Sequence, residues 1–181
     1  MKAMLGALFR PNPRREAVDA AYGVIVARAR EPWFYGEGGV PDTLEGRFEL
    51  LALHAFLVLH RLRREPGAAQ RFAQELFDTM FADLDRSLRE MGVGDLGIGR
   101  RVKALAAKFY GRIVAYESGL ADPPLLAEAL RRILYGPAAP SDAQLAALTH
   151  YVPRQVTALA ALPLASLLAG EVRFAPLEEG S

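Results

Sequence analysis

Three histidines, at 54, 60 and 150, are the only imidazoles in the 181-residue chain, and there is no cysteine. Without thiols there is no Cys nucleophile, Cys-ligated zinc, iron–sulfur cluster or disulfide. Two histidines that share a metal on one helix stand at i, i+4, whereas His54 and His60 are six apart. A di-iron bundle needs Glu-x-x-His on two helices. Here Glu49 and His54 are five apart, and Glu45 and His54 nine. Asp78, Asp83 and Asp85 do not follow the Asp-Asp-x-x-Asp spacing of isoprenoid enzymes, and no serine sits in Gly-x-Ser-x-Gly. Gly92-x-Gly94-x-x-Gly97-x-Gly99 is a literal G-x-G-x-x-G, but a phosphate-binding loop of that kind follows a strand, and here a periodic helix precedes it. We therefore expect no catalytic centre, metal or cofactor, and read the glycines as an inter-helix hairpin.

Binding chemistry is more legible. Lys108 and Arg112 stand at i, i+4, with Arg101 one heptad before Lys108, so the three share a helix face. That face either pairs with acids of the preceding helix or docks an acidic partner, RNA or anionic headgroups. Trp33, Phe34 and Tyr35 lie together in a Gly/Pro-rich stretch, 32–41. They either plug against the helices or form an exposed contact patch. The formal net charge of +1 argues against a general nucleic-acid footprint, so no DNA partner is expected.

The elements that carry these residues are helices cut by proline and glycine. The spacing predicts helices over about 13–30, 42–64, 68–91, 99–120, 123–135 and from 142 onward. Asp42 is the expected N-cap of the second, with Glu45 completing a capping box, and Gly92 the C′ residue of the third. In the second helix Leu44, Phe48, Leu51, Ala55, Leu59 and Leu62 trace one stripe, and Leu50, Leu53, Leu57 and Val58 make the middle apolar all round. Such a helix belongs at the centre of a bundle. Pro153 and Pro163 are expected to kink or split the last stretch. The expected fold is all-α, a single-domain bundle of about six helices with a central apolar helix. Residues 1–12 form a flexible or membrane-surface segment, 13–170 the domain and 171–181 a tail. No run is long enough to span a bilayer.

Three stretches in order carry a resemblance: Val40-Pro-Asp-Thr-Leu-Glu-Gly-Arg-Phe-Glu-Leu-Leu with His54-Ala-Phe-Leu-Val-Leu, Phe77-Asp-Thr-Met-Phe-Ala-Asp-Leu-Asp-Arg-Ser-Leu-Arg-Glu-Met-Gly-Val-Gly-Asp, and Val102-Lys-Ala-Leu-Ala-Ala-Lys-Phe-Tyr-Gly-Arg112. Over about residues 14–135 the chain resembles the ubiquinol–cytochrome c chaperone family. The resemblance implies an all-helical assembly factor for the cytochrome bc1 complex whose mitochondrial members hold new cytochrome b near the ribosome with a helper protein. It implies a bacterial-type member here, cytoplasmic with peripheral contact at the inner membrane. Trp33, Phe34, Tyr35, Phe81 and Tyr110 are then the expected apolar contacts to a membrane-protein client, and Arg101, Lys108 and Arg112 the electrostatic ones. Asp83, Asp85, Arg86 and Asp95 are expected to fix the helix hairpin. The residues alone leave two other readings open: a helical haem- or isoprenoid-type protein, and a general peripheral membrane or RNA adaptor.

Overall fold

The computed structural model describes residues 12–92 and 95–177, without the side chains of Asp95 and Leu96. The expected N-terminal segment lies outside the described residues apart from Asn12. Helices α1 (Pro13–Ala29), α2 (Pro32–Tyr35), α3 (Leu44–Leu62), α4 (Ala68–Glu90), α5 (Asp95–Ala121), α6 (Pro123–Leu130), α7 (Asp142–Ala160) and α8 (Leu164–Leu168) follow in order, with a π turn, Arg131–Tyr135, continuing α6. No strand occurs among the described residues. The six longer helices match the expected bundle, and α3 is its centre, touching α1, α4, α5, α7 and the π turn. Its residues 52–58 are all buried, which is what an all-round apolar sequence requires.

Local chemistry explains most boundaries. The Asn12 side chain accepts from the Arg14 amide at 3.2 Å, with Pro13 in the first turn. Ser141 and Gln144 close a reciprocal capping box on α7. Gly92 follows the C-cap Met91 with φ +78°, the left-handed geometry of a C′ residue. The expected N-cap of α3 is displaced by one residue. Thr43, not Asp42, caps it, accepting from the Gly46 amide at 3.1 Å. Asp42 instead holds Arg47, with its Oδ1 2.6 Å from Nε. A Cβ on Gly46 would come within 2.1 Å of the Pro41 carbonyl oxygen, so the chain turns into α3 too tightly for any side chain there.

Three expectations change with tertiary context and a fourth is sharpened. Residues 32–35 are a helical turn rather than open loop. α5 starts at Asp95, so Gly97 and Gly99 lie inside a helix instead of a hairpin. α7 runs through Pro153 without a break, and the stretch splits at Pro163 alone, between α7 and α8. Tyr151, Val152 and Gln155 are buried on both sides of Pro153, and that packing offsets the one lost backbone bond. Finally, the tail expected from Glu171, extended or disordered, is extended over residues 171–177 and strapped onto the core. Val172 is buried, the Ala175 amide donates to Gln155 Oε1 at 2.7 Å, and Arg28 donates to the Ala175 carbonyl at 3.0 Å.

Two glycines of α5 separate packing from propensity. A Cβ on Gly119 would lie 2.7 Å from Leu126 Cα, where α6 folds back on α5. Gly119→Ala is expected to cost about 1–3 kcal/mol through overpacking. A Cβ on Gly111 would meet nothing within 4 Å. Gly111→Ala is expected to add about 0.5–1 kcal/mol of helix stability in dilute solution. Thermal melts of the two variants should shift in opposite directions; a lower melting point for Gly111→Ala would refute the open-space geometry.

Candidate binding groove

The apolar stripe of α3 runs past its cover. Leu44 is 64% exposed and Leu51 only half-buried, although both belong to the stripe that ends in the buried Leu62. Around them α1, α2, the start of α3 and the end of α4 enclose a groove of about 680 Å³. Val26, Phe48, Leu51 and Leu84 supply its apolar lining, while Tyr22, Tyr35, Asp42, Arg47 and Asp83 supply the polar part. Solvated apolar surface set among polar groups is the usual anatomy of a protein-contact site.

The polar groups are held in fixed pairs. The Tyr22 hydroxyl donates to Asp83 Oδ2 at 2.8 Å, and Arg86 takes the other oxygen of Asp83. Burial, reinforced by that carboxylate, pushes the Tyr22 phenol well above its ordinary range. Asp85 pairs with Arg89 along α4 at 2.8 Å. The Asp-x-Asp-Arg motif therefore fastens α4 to α1 through Asp83, where the expectation was a brace for the α4–α5 hairpin. Asp95 opens α5, and its side chain lies outside the described part. On the opposite side of the groove Arg47 holds the Asp42 carboxyl below the usual carboxylate range. The Tyr35 hydroxyl donates to the Ala29 carbonyl at 3.0 Å.

Of the three consecutive aromatics, Tyr35 alone lines the groove. Phe34 is fully buried, edge-on to His54 at 5.1 Å and to Tyr151 at 5.3 Å. It is a core plug, which corrects its placement as a contact residue. Trp33 is half-buried, packed against Phe34 at 5.3 Å and tilted over Tyr151 at 6.3 Å. His54 accounts for this arrangement: its Nδ1 lies 2.7 Å from the Leu50 carbonyl oxygen and its Nε2 2.8 Å from the Tyr151 hydroxyl. Burial pushes its imidazole down to about 3, so the ring is neutral and structural at physiological pH.

The basic residues of α5 divide. Lys108 pairs with Glu45, and Arg112 grips Glu49 bidentately, with Nε at 2.9 Å and Nη2 at 2.6 Å. The Glu49 side chain is only 1% exposed. These acids sit on α3, not on the preceding helix α4. The signal was present in the numbering: both pairs span 63 residues, as two i, i+4 pairs on parallel helices must. Arg112 thus lines a second cleft of about 550 Å³ between α3 and the π turn, Lys108 pairs with Glu45 of its lining, and both cations are already committed to internal partners. Arg101 remains exposed. Tyr110 is 59% exposed and stacks on Phe77 at 5.7 Å, and Phe77 in turn stacks on the buried Phe81. None of these joins the groove, which draws no residue from α5. Among the described residues no cluster of three His, Asp or Glu side chains is placed to hold a metal, and no helix is long and apolar enough to cross a membrane.

Comparison with known proteins covers most of this architecture. Residues 37–174 match the family described as ubiquinol-cytochrome C chaperone. The ubiquinol-cytochrome-c reductase complex assembly factor 1 of Xenopus laevis is 29% identical over 160 residues, 87% of this chain and 80% of its own. The mitochondrial protein CBP3 of Saccharomyces cerevisiae is 30% identical over 149 residues, 80% of this chain but 44% of its own, so the chain spans less than half of that relative. The crystal structure of the Cbp3 homolog from Brucella abortus matches with a TM-score of 0.82 and 40% identity, covering 91% of this chain and 92% of that one. With three quarters of its length inside the family match and this all-helical bundle shared with a solved relative, the chain belongs to the ubiquinol–cytochrome c chaperone family.

Proposed function

We propose that the chain is an assembly chaperone of the ubiquinol–cytochrome c reductase (cytochrome bc1) complex. It acts by holding an apolar segment of a membrane-protein client, cytochrome b, in the groove beside Leu44. The uncovered end of the α3 stripe carries this reading. It leaves Leu44 exposed and Leu51 half-exposed inside the family-matched region, beside polar groups already paired with one another. Apolar contact holds a client reversibly, and paired polar groups do not compete for it. The work is binding rather than catalysis. With such a client we infer peripheral contact with the inner membrane, at its cytoplasmic face in a bacterium.

A photo-crosslinking residue at position 44 tests the assignment in native membranes, where cytochrome b should be the captured chain. Leu44→Asp puts a charge where an apolar segment docks, and because Leu44 is exposed the fold should tolerate it. Assembled complex and cytochrome b should fall about tenfold with an unchanged melting point. Normal levels of both in a strain lacking the protein would refute the chaperone reading. Normal levels in Leu44→Asp alone would refute the groove.

A further inference from the structure

One face of α5 is covered by nothing among the described residues. Ala104, Ala107, Gly111, Val114, Ser118 and Ala121 recur at alternating steps of three and four, and all six are exposed. They lie opposite the buried Ile98, Phe109 and Tyr116, so this is the solvent side of a helix about 40 Å long. Val114, at 67%, is the most exposed large apolar side chain of the described residues, and Tyr110 borders the same face. A seam of that period is the contact line of one helix against another. Gly111 sits at its middle, where the fold itself leaves room for a side chain.

The charges on this face are arranged by end. Arg100 and Lys103 are exposed and pair with no carboxylate among the described residues. Asp122, just past the other end, has no side-chain partner among the described residues either. Arg100 stands eleven residues before Gly111 and Asp122 eleven residues after it. Each end is therefore about 16 Å from the glycine.

We propose that this face pairs with the same face of a second copy, antiparallel and crossing at Gly111. A two-fold axis there sets Arg100 and Lys103 of each copy against Asp122 of the other, the self-complementarity that an isologous interface requires. A parallel pair would stack like charges instead. A lipid surface would call for long apolar side chains reaching into the acyl region, whereas this seam is alanine, glycine and serine around a single valine. Its short side chains suit the close approach of a second backbone. The client groove uses no residue of α5, so the dimer would carry two grooves, both open.

Sedimentation velocity on the full chain should show a reversible dimer that weakens with salt. Val114→Glu should be monomeric with an unchanged melting point. Arg100→Asp with Lys103→Asp, and Asp122→Lys alone, should each weaken association about tenfold or more, and combining all three should restore it. Simple damage to the fold would not be rescued in that way. The chain has no cysteine, so single cysteines report geometry directly. Gly111→Cys should oxidise to a covalent dimer, and Ala104→Cys should crosslink to Ser118→Cys but not to itself. A monomer at every accessible concentration would overturn the proposal, as would self-crosslinking of Ala104→Cys. Binding of monomeric protein to phosphatidylglycerol-containing vesicles, abolished by Val114→Glu, would assign the face to lipid instead.

Discussion

Arg112→Ala is expected to destabilise the fold by about 3–5 kcal/mol, because it strands a carboxylate inside the protein. The Glu49 side chain is 1% exposed, and both of its oxygens are bonded by Arg112, at 2.9 and 2.6 Å. The guanidinium is 19% exposed and lines the cleft against the π turn. The two truncations should therefore differ. Glu49→Ala leaves a charge that can reach solvent through that cleft and should cost less, about 1–3 kcal/mol. Replacing both, Glu49→Leu with Arg112→Met, should come within about 1 kcal/mol of the wild type, since an apolar pair needs no compensation. Lys108→Ala, at an ion pair 43% and 65% exposed, should cost no more than about 1 kcal/mol. Urea unfolding of the wild type, Arg112→Ala, Glu49→Ala and the double Glu49→Ala with Arg112→Ala closes a double-mutant cycle that measures the coupling. An Arg112→Ala variant within about 0.5 kcal/mol of the wild type would mean that Glu49 is not sealed. The ordering also decides how cellular phenotypes are read. Lost assembly in Arg112→Ala reports a missing fold, whereas lost assembly in Leu44→Asp reports a missing contact.

How far these assignments are readable in the chain depends on the range of the forces that set them. Caps and periodicity act within a turn, so α1, α3, α4 and the start of α7 follow from Asn12-Pro13, the α3 stripe, Gly92 and the Ser141–Gln144 box. The departures are tertiary. Gly97 and Gly99 are helical, and Pro153 is carried inside α7 by burial on both of its sides. The strap at 171–177 has no local signature; it is held by Gln155, Arg28 and the ring of Phe174 against His54 at 5.3 Å. The binding residues show the same division. Spacing places Lys108 and Arg112 on one face but does not say which helix that face meets, and the acids it meets are those of α3. Likewise an apolar stripe marks Leu44 and Phe48 alike, although neighbours cover one and leave the other in water. Three adjacent aromatics invite a surface patch, yet Phe34 is drawn inside by a histidine twenty residues on.

That histidine should make stability depend on pH between about 6.5 and 4.5, above the range in which Asp42 and Glu45 contribute. His54 is fully buried between the Leu50 carbonyl and the Tyr151 hydroxyl, and in the folded chain it takes a proton only as the pH nears about 3. In the unfolded chain it takes one near 6.5. Between those values the unfolded state binds one more proton, so stability falls as the pH falls. The slope is about 1.4 kcal/mol per pH unit, which amounts to about 2.7 kcal/mol by pH 4.5. Asp42 and Glu45, held low by Arg47 and Lys108, contribute stability that is present above the ordinary carboxylate range and lost only below it. They therefore act below about pH 4.5, in the lower part of this window and beneath it. His54→Phe keeps an aromatic ring against Phe34 and Phe174 but abandons the Tyr151 hydroxyl, and should cost about 1–3 kcal/mol at pH 7.5. Its deficit should then shrink by about 1.4 kcal/mol for each unit below pH 6.5 and close or reverse by pH 4.5. Urea midpoints at pH 7.5, 6.5, 5.5 and 4.5 measure this directly. Parallel curves for the two proteins would mean that the folded chain protonates His54 as readily as the unfolded one. The Phe34–His54–Tyr151 cluster would then be open to water, and the packing that withdraws Phe34 from the surface would no longer hold.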